Sequence, residues 1–247
     1  MTAINGHRGA RNLWPENSLP GFRNALQLGC DAIEFDVHLT DAGELVVIHD
    51  PLLDRTTDGT GPVRALTPET RRRTLLKDSD TVVPTLGEVL EVLAPVHGLG
   101  LHVEIKLDEA DLPYPGIAAR VADALIAHGL DRRAHLTSFD AGILRDCAEV
   151  APGIARLVSA DADWVARQGG LETFLATMGR LVDIVALRHD YLDAEWDAIT
   201  ALWPKERLCA WTVNDEERIR HFLDLGVGHL TSDRPDLALR LRSTEPA

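Results

Sequence analysis

Hydrophobic and polar residues alternate strictly over residues 32–38, and this alternation predicts a β-strand. One face of the predicted strand is apolar, while Glu34, Asp36 and His38 lie on the other face. Two interpretations of the polar face are open. It faces water, as in an antiparallel strand with one solvated side, or it holds a hard divalent cation, which takes several anionic oxygens as ligands.

Strand-like and helix-like segments alternate along the rest of the chain. Repeating units of this spacing predict a parallel sheet, and their number favours a closed (β/α)8 TIM barrel over an open doubly wound sheet. The predicted strands span residues 3–7, 32–38, 45–49, 101–107, 134–139, 154–159, 182–187, 208–213 and 227–232. The predicted helices include segments near 114–128, 161–178, 193–202 and 235–242.

Several helix starts carry capping signals. Ser18 is an expected N-cap, with a proline in the first turn that follows it. Thr85 and Glu88 have the spacing of a capping box. Asn214, together with Glu217, is expected to cap the helix after the penultimate strand.

Nine strand-like segments are one more than an eight-stranded barrel needs. We expect residues 45–49 to fold back on the preceding strand through a two-residue turn at Ala42-Gly43. This register places His49 opposite Asp36, with their Cβ atoms roughly 4.5–5.5 Å apart.

Residues 50–84 combine turn-forming and charged residues without a long periodicity. They are interpreted as an irregular insertion within a single barrel domain that spans residues 1–247. Long loops in compact domains are usually functional, so the insertion is expected to lie near the site.

Composition excludes several classes of protein. The 247 residues suffice for one large domain, and 45% of them are hydrophobic, which argues against disorder. A formal net charge of −14 argues against a nucleic-acid surface and against stable association with anionic lipid. Glycine-rich nucleotide-binding motifs are absent from the sequence.

Cysteine usage and the N-terminal sequence bear on the compartment. Cys30, Cys147 and Cys209 are scattered without metal-binding spacing, which fits a reducing environment. The N-terminus lacks the features of a secretory signal, and no apolar run reaches membrane-spanning length. The expected location is therefore the cytoplasm, and homo-oligomerisation is left open.

Chemically active side chains cluster at the ends of predicted strands, where TIM barrels place their sites. Ordinary structural roles compete with this interpretation, since strand-end histidines are often structural, Trp211 alone would be a core residue, and Asn214 caps a helix. Lys106 could also pair with Glu104 on its own strand. A purely structural rim would not need so many charged groups, which are contributed by His7, Arg8, Glu34, Asp36, His49, Glu104 and Lys106.

The motifs at these strand ends resemble those of the glycerophosphodiester phosphodiesterase family, in the family's order and over nearly the whole chain. Ser232 stands where the family usually has threonine, and His38 stands where another polar residue is common. The matching segments are His7-Arg8-Gly9-Ala10, Pro15-Glu16-Asn17-Ser18, Glu34-x-Asp36-Val37-x-Leu39-Thr40, Val46-Val47-Ile48-His49-Asp50, Arg55-Thr56-Thr57-x-Gly59-x-Gly61, Glu104-Ile105-Lys106, Ser138-Phe139, Trp211-Thr212-Val213-Asn214 and Ser232-Asp233-Arg234-Pro235.

The resemblance implies a role for each site residue. It implies a TIM barrel with a small insertion and one divalent cation held by Glu34, Asp36 and Glu104. His7 and His49 would form an acid/base pair. Arg8 and Lys106 would face the phosphate, and Trp211 would contact the substrate. An all-oxygen ligand set favours Mg²⁺ or Ca²⁺ over Zn²⁺.

The implied activity is metal-dependent hydrolysis of small glycerophosphodiesters to sn-glycerol 3-phosphate and an alcohol. The nucleophile is either water or a neighbouring glycerol hydroxyl, the latter by way of a cyclic phosphate. Two alternatives stay open at this point. One is a lysophospholipase D or sphingomyelinase-D-like activity, and the other is a non-catalytic barrel that binds phosphorylated ligands.

Overall fold

The computed structural model describes residues 1–243. Eight parallel strands close into a barrel, and one additional short strand, the third in chain order, lies outside it. Closure occurs where the first strand pairs in parallel with both the second and the last strand. The predicted (β/α)8 fold is confirmed. The strands are β1 (Ala3–His7), β2 (Ala32–Leu39), β3 (Leu45–Val47), β4 (Gly100–Ile105), β5 (Ala134–Ser138), β6 (Ala155–Ala160), β7 (Ile184–Arg188), β8 (Leu208–Trp211) and β9 (His229–Ser232).

Helices connect the barrel strands and cover the outside of the barrel. Hydrophobic residues of strands and helices form two large clusters of buried side chains between these layers. Over residues 1–243 the α-helices are α1 (Leu19–Leu28), α2 (Pro68–Arg71), α3 (Leu86–Leu93), α4 (Ile117–Ala127), α5 (Ala141–Val150), α6 (Ala162–Arg167), α7 (Leu171–Met178), α8 (His189–Ala194), α9 (Trp196–Leu202), α10 (Glu216–Leu225) and α11 (Pro235–Ser243).

Two of the expected helix caps are present and one is wrong. Ser18 accepts a hydrogen bond from the N–H of Gly21, and the capping box of Thr85 and Glu88 is complete. Asn214 does not cap α10. Asp215 is the N-cap of this helix, and its side chain accepts a hydrogen bond from the Arg218 N–H. The amide of Asn214 is instead committed to the loop after β9, where its Nδ2 donates to Asp233 at 2.8 Å.

The helix predicted over 161–178 is interrupted. Gly169 and Gly170 both have a φ of 91°, which a right-handed helix does not allow. The segment therefore forms two helices, α6 and α7. The segment before β8 also forms two helices. The first, α8, begins directly after β7, and Glu195, with a φ of −111° and a ψ of 16°, separates it from α9.

The fold-back of β3 on β2 is confirmed as antiparallel, but the predicted register is wrong by one residue. The turn has three residues rather than two, since the Gly43 N–H donates to the Thr40 carbonyl and the Thr40 N–H donates to the Glu44 carbonyl. Gly43 has a φ of 88°, as three-residue hairpin turns require at this position. Ile48, and not the predicted histidine, therefore lies opposite Asp36.

Residues 51–84 pack against β3 on the outside of the barrel. Their short elements include α2 and a 3₁₀ turn at Val63–Ala65. Seven hydrophobic side chains form a separate buried cluster that joins this segment to β3, namely Val46, Ile48, Leu53, Val63, Leu66, Leu76 and Val83. Of the helices described here, none is both long and apolar enough to cross a membrane.

Candidate active site

The carboxyl ends of β1, β2 and β4 bring four of the expected site residues together. In the parallel registers, His7 is paired with Glu34 and Asp36 with Glu104. All eight residues of β2 are buried, because its polar face lines the barrel interior. The interpretation of this face as a solvated surface is therefore wrong.

Glu34, Asp36 and Glu104 form an acidic cluster, with one carboxylate oxygen from each lying within 4.8 Å of the others. Within residues 1–243, the buried Oε1 atom of Glu34 has no hydrogen-bond partner. Burial and the neighbouring charges of Asp36 and Glu104 raise the pKa of Glu34 well above its usual value. This acidic cluster could hold a metal ion.

Within the acidic cluster, Asp36 contacts one amide and two basic side chains. It accepts a hydrogen bond from Asn17 Nδ2 at 2.8 Å, and it lies 3.4 Å from Lys106 Nζ and 3.3 Å from Arg8 Nε. Burial opposes its ionisation, but Lys106 and Arg8 outweigh burial and hold the pKa of Asp36 well below its usual range. This carboxylate therefore stays ionised at neutral pH.

His7 lies between two carboxylates. Its Nδ1 is 2.5 Å from Asp233 Oδ1, and its Nε2 is 3.7 Å from Glu34 Oε2. Burial lowers the pKa of His7, although the contact with Asp233 opposes that change. Asp233 is fully buried and also accepts hydrogen bonds from Arg11 Nε and Asn214 Nδ2, each at 2.8 Å.

His49 is held in a comparable way near the surface. Its Nδ1 is 2.6 Å from Asp50 Oδ1, and Arg55 contacts the same carboxylate through two nitrogens. Arg55 also makes two hydrogen bonds to Glu16, which in turn accepts from Arg8. Residues of the 51–84 segment thus help to fix the position of His49.

His38 does not contact the acidic cluster and does not face solvent. It is fully buried, with Nδ1 2.9 Å from the Tyr114 hydroxyl and Nε2 3.0 Å from the His49 carbonyl oxygen. Because a carbonyl can only accept, Nε2 carries the proton and Nδ1 accepts from Tyr114. Burial lowers the pKa of His38 to about 4, so the ring is neutral and supports the backbone at His49.

Arg8 and Lys106, the two basic residues expected to face the phosphate, lie in different cavities. Arg8 lines the cavity at the barrel mouth, together with both histidines. Lys106 lies in an adjacent groove and pairs with Glu104 Oε1 at 2.6 Å. The ion pair of Lys106 with Glu104, one of the roles considered from the sequence, is therefore present. Lys106 also contacts Asp36.

A cavity of about 250 Å³, here called the chamber, opens between these groups and the far wall of the barrel. Trp211 lines this chamber with Phe139, and their rings pack edge to face with centroids 5.3 Å apart. The chamber is lined by His7, Arg8, Arg11, Glu34, His49, His102, Glu104, Thr137, Phe139, Leu157, Ser159, Ala186, Cys209, Trp211, Thr212 and Thr231.

The roles of four residues around the site were missed by the sequence analysis. Asp233 contacts the ring of His7 and Tyr114 contacts the ring of His38, each from a distant part of the chain, and the pair of Glu16 and Arg55 connects the long loop to the barrel. Asp233 lies in the motif at 232–235, and this placement after the last strand was the available signal. Tyr114 lies in a loop and carried no comparable signal.

Comparison with known proteins gives matches over nearly the whole chain. Residues 7–237 match the glycerophosphoryl diester phosphodiesterase family. The chain is 30% identical to a glycerophosphodiester phosphodiesterase of Bacillus altitudinis, with 98% of each chain covered. It is 29% identical to one from Caldanaerobacter subterraneus subsp. tengcongensis, with 97% of each covered.

Solved structures agree with the sequence matches. A glycerophosphodiester phosphodiesterase from Agrobacterium tumefaciens superimposes with a TM-score of 0.76 at 27% identity, with 97% of this chain and 100% of that chain covered. An Oleispira antarctica phosphodiesterase, solved with the product sn-glycerol-3-phosphate, has a TM-score of 0.76 at 23% identity. That match covers 99% of this chain and 98% of the other and shows a shared fold.

Proposed function

The chain belongs to the glycerophosphoryl diester phosphodiesterase family, and from this premise we propose that it hydrolyses glycerophosphodiesters with a bound divalent cation and a pair of histidines. The products would be sn-glycerol 3-phosphate and an alcohol. One observation carries the proposal. Two of the three carboxylates that could hold a metal line the same chamber as two histidines and an arginine, and the third carboxylate, Asp36, lies beside them in the acidic cluster.

The acidic cluster fits a hard divalent cation. Its donors are all oxygens, and the Oε1 atom of Glu34 has no partner within the described chain. This donor set favours Mg²⁺ or Ca²⁺, which prefer carboxylate oxygens. When bound, such an ion would neutralise charge on the phosphate oxygens of the substrate.

The two histidines are suited to proton transfer. In each ring the Nδ1 atom lies against a carboxylate, Asp233 for His7 and Asp50 for His49. This arrangement fixes the ring orientation and leaves Nε2 as the atom that exchanges a proton. One histidine would take a proton from the attacking oxygen, and the other would give one to the leaving alkoxide.

Arg8 supports the phosphate from inside the chamber. Its guanidinium is buried and lies near both Asp36 and Glu16. Burial opposes its charge, but Asp36 and Glu34 outweigh that effect and raise the pKa of Arg8. Lys106 would act from the adjacent groove, through its ion pairs with Asp36 and Glu104.

The proposal is tested by a coupled assay for glycerol 3-phosphate. We expect release from glycerophosphocholine, glycerophosphoethanolamine and glycerophosphoglycerol, loss of release in EDTA, and recovery with Mg²⁺ or Ca²⁺. Phosphorus NMR during turnover separates direct attack by water from a route through a cyclic phosphate. Binding of these diesters without turnover would contradict the proposal and favour a non-catalytic barrel.

A further inference from the structure

Arg55 joins two separate loops that carry residues of the candidate active site. One loop follows β1 and contains Arg8 and Glu16, and the other follows β3 and contains His49 and Asp50. The Arg55 guanidinium makes four hydrogen bonds, two to the carboxylate of Asp50 and two to that of Glu16. One side chain of the 51–84 segment therefore ties the two loops together.

These hydrogen bonds occupy the whole fork of the guanidinium. Nε and Nη2 of Arg55 donate to the two oxygens of Asp50 at 2.6 and 2.9 Å, and Nη1 and Nη2 donate to the two oxygens of Glu16 at 3.0 and 2.8 Å. Because the guanidinium is planar, bidentate pairs of this kind fix direction as well as distance. A lysine ammonium is a point charge without a fork, so it cannot reproduce both pairs at once.

Each carboxylate passes this constraint to a residue that lines the chamber. Asp50 Oδ1 also lies 2.6 Å from His49 Nδ1, and Glu16 Oε1 also accepts from Arg8 Nη1 at 3.2 Å. His49 and Arg8 line the chamber, whereas Asp50, Glu16 and Arg55 are absent from its lining within residues 1–243. Arg55 therefore reaches the chamber through these two neighbours.

Both carboxylates of this bridge are held in their ionised form. The hydrogen bond from Arg55 holds the pKa of Asp50 well below its usual range. Burial opposes ionisation of Glu16, but the hydrogen bond from Arg55 and the charge of Arg8 outweigh burial and lower its pKa. The Arg55 side chain is 46% exposed, and exposed ion pairs contribute little to stability. The main consequence of the bridge is therefore orientation.

We propose that Arg55 is a positioning residue, which aligns His49 for proton transfer and Arg8 for phosphate binding at the same time. The proposal rests on the function proposed above and makes the 51–84 segment part of the catalytic apparatus. A displacement of about 1 Å in a catalytic group can lower a rate about 10²-fold. Loss of the bridge should therefore lower both kcat and the affinity for phosphate, although Arg55 lies outside the chamber.

The first test removes the fork and then restores only its charge. With glycerophosphocholine as substrate, Arg55→Gln should lower kcat by about 10–10²-fold. Calorimetric titration with inorganic phosphate, in the presence of Mg²⁺, should show an affinity about three- to tenfold lower. Arg55→Lys should retain most of both losses, because charge alone does not orient two carboxylates. Unchanged kcat and unchanged phosphate affinity in either variant would overturn the proposal.

Two double variants separate the two arms of the bridge. In a His49→Ala background, Arg55→Gln should lower kcat by less than about twofold and still weaken phosphate binding, since mutations that act through one group are not additive. In an Arg8→Ala background, Arg55→Gln should still lower kcat and no longer weaken phosphate binding. If both quantities fall in both backgrounds as far as in the unmodified protein, Arg55 acts by another route and the proposal is wrong.

Arg64 offers a matched control within the same segment. Its side chain is 37% exposed and also links two carboxylates, those of Asp41 and Asp108. Over residues 1–243, neither of these carboxylates is hydrogen-bonded to a residue that lines the chamber. Arg64→Gln should lower the melting temperature slightly, as Arg55→Gln does, and leave kcat and phosphate affinity unchanged. A comparable fall of kcat in Arg64→Gln would mean that general loosening of the segment explains both variants, against the proposal.

Nitrogen-15 NMR of His49 adds a measurement that does not depend on turnover. The signal, identified by its loss in His49→Gln, should show the proton on Nδ1 in the unmodified protein, and Arg55→Gln should increase the Nε2–H form. If no diester is hydrolysed but this tautomer and the phosphate affinity respond to Arg55→Gln, the proposed function fails while the positioning role stands. If diesters are hydrolysed and neither quantity responds, the positioning proposal fails alone.

Discussion

The imidazole of His7 lies 2.5 Å from the carboxylate of Asp233, from which it is separated by 226 residues. Asp233 is fully buried and receives two further hydrogen bonds, from Arg11 and Asn214. The carboxylate can only accept from these three neighbours, so His7 must present its Nδ1 proton to it. The Nε2 atom of His7 is then free of a proton when the ring is neutral and can act as a base.

The Asp233→Asn substitution tests this arrangement. The amide has nearly the same shape, but it can donate to Nδ1 and so favour the wrong tautomer. We expect kcat to fall by about 10²–10⁴-fold with little change in KM, by analogy with the aspartate of serine protease triads. Asp215→Asn is the matched control, because asparagine also caps a helix and should leave kcat unchanged.

Nitrogen-15 NMR of the histidine rings checks the same point without turnover. The His7 signal, identified by its loss in His7→Gln, should show the Nδ1–H tautomer in the unmodified protein. In Asp233→Asn the Nε2–H form should gain population. Identical tautomer populations in both proteins, with kcat reduced, would mean that Asp233 acts only by supporting the loop after β9.

Acid stability should depend on the same aspartate. Burial alone would raise its pKa, but the hydrogen bond and charge of His7 lower the pKa of Asp233 to about 2. A carboxyl whose pKa is lower in the folded state stabilises the fold above its unfolded pKa and loses that effect as the pH falls. Urea unfolding should therefore show that the stability advantage over Asp233→Asn, about 2 kcal/mol at pH 5, disappears between about pH 4 and pH 2.

Local patterns predicted the barrel and much of the acidic cluster. The alternation in β2 placed Glu34 and Asp36 on one face, and the strand pattern placed Glu104 on the neighbouring strand. These predictions succeed because the parity of a strand fixes which side chains share a face. The register of β3 failed by one residue, because the turn geometry at Gly43 depends on a backbone conformation that alternation does not reveal.

Contacts between distant segments could not be predicted from patterns. The hydrogen bond between His38 and Tyr114 joins residues 76 positions apart, and Asp233 reaches His7 only because the barrel closes. At Asn214, a distant contact overrides a local pattern. Its sequence context fits a helix cap, but the tertiary contact with Asp233 takes its amide, and the next residue caps the helix instead.

Glu34→Gln should remove most of the metal affinity. Glutamine keeps the size and one oxygen donor but lacks the negative charge that a hard cation requires. Addition of Mg²⁺ or Ca²⁺ should raise the melting temperature of the unmodified protein, since a ligand that binds only the folded state stabilises it. That rise should be absent in Glu34→Gln and present in Glu91→Gln, a control on the exposed face of α3.

Tyr114→Phe tests how Tyr114 supports the backbone of His49 through the ring of His38. The substitution removes the hydroxyl that donates to His38 Nδ1 and leaves a buried acceptor without a partner. We expect a loss of about 1–2 kcal/mol in the free energy of unfolding. Tyr191→Phe is the matched control, because no described residue bonds the Tyr191 hydroxyl, and its stability should change by less than about 0.5 kcal/mol. Equal losses in the two variants would remove the His38–Tyr114 bond as a stabilising contact.

Substitution of His7 and His49 is the most direct test of the proposed mechanism. His7 and His49 both line the chamber, and each ring is oriented by its own carboxylate. His7→Ala and His49→Ala should each lower kcat by about 10²–10⁴-fold, the usual contribution of a positioned acid or base. Binding of sn-glycerol 3-phosphate should change far less, because Arg8 and the acidic cluster remain. The double variant should be little worse than either single one, since groups that act as a unit are not additive. If the two losses multiply, the histidines act in separate steps, and if either variant retains near-full turnover, that histidine is structural.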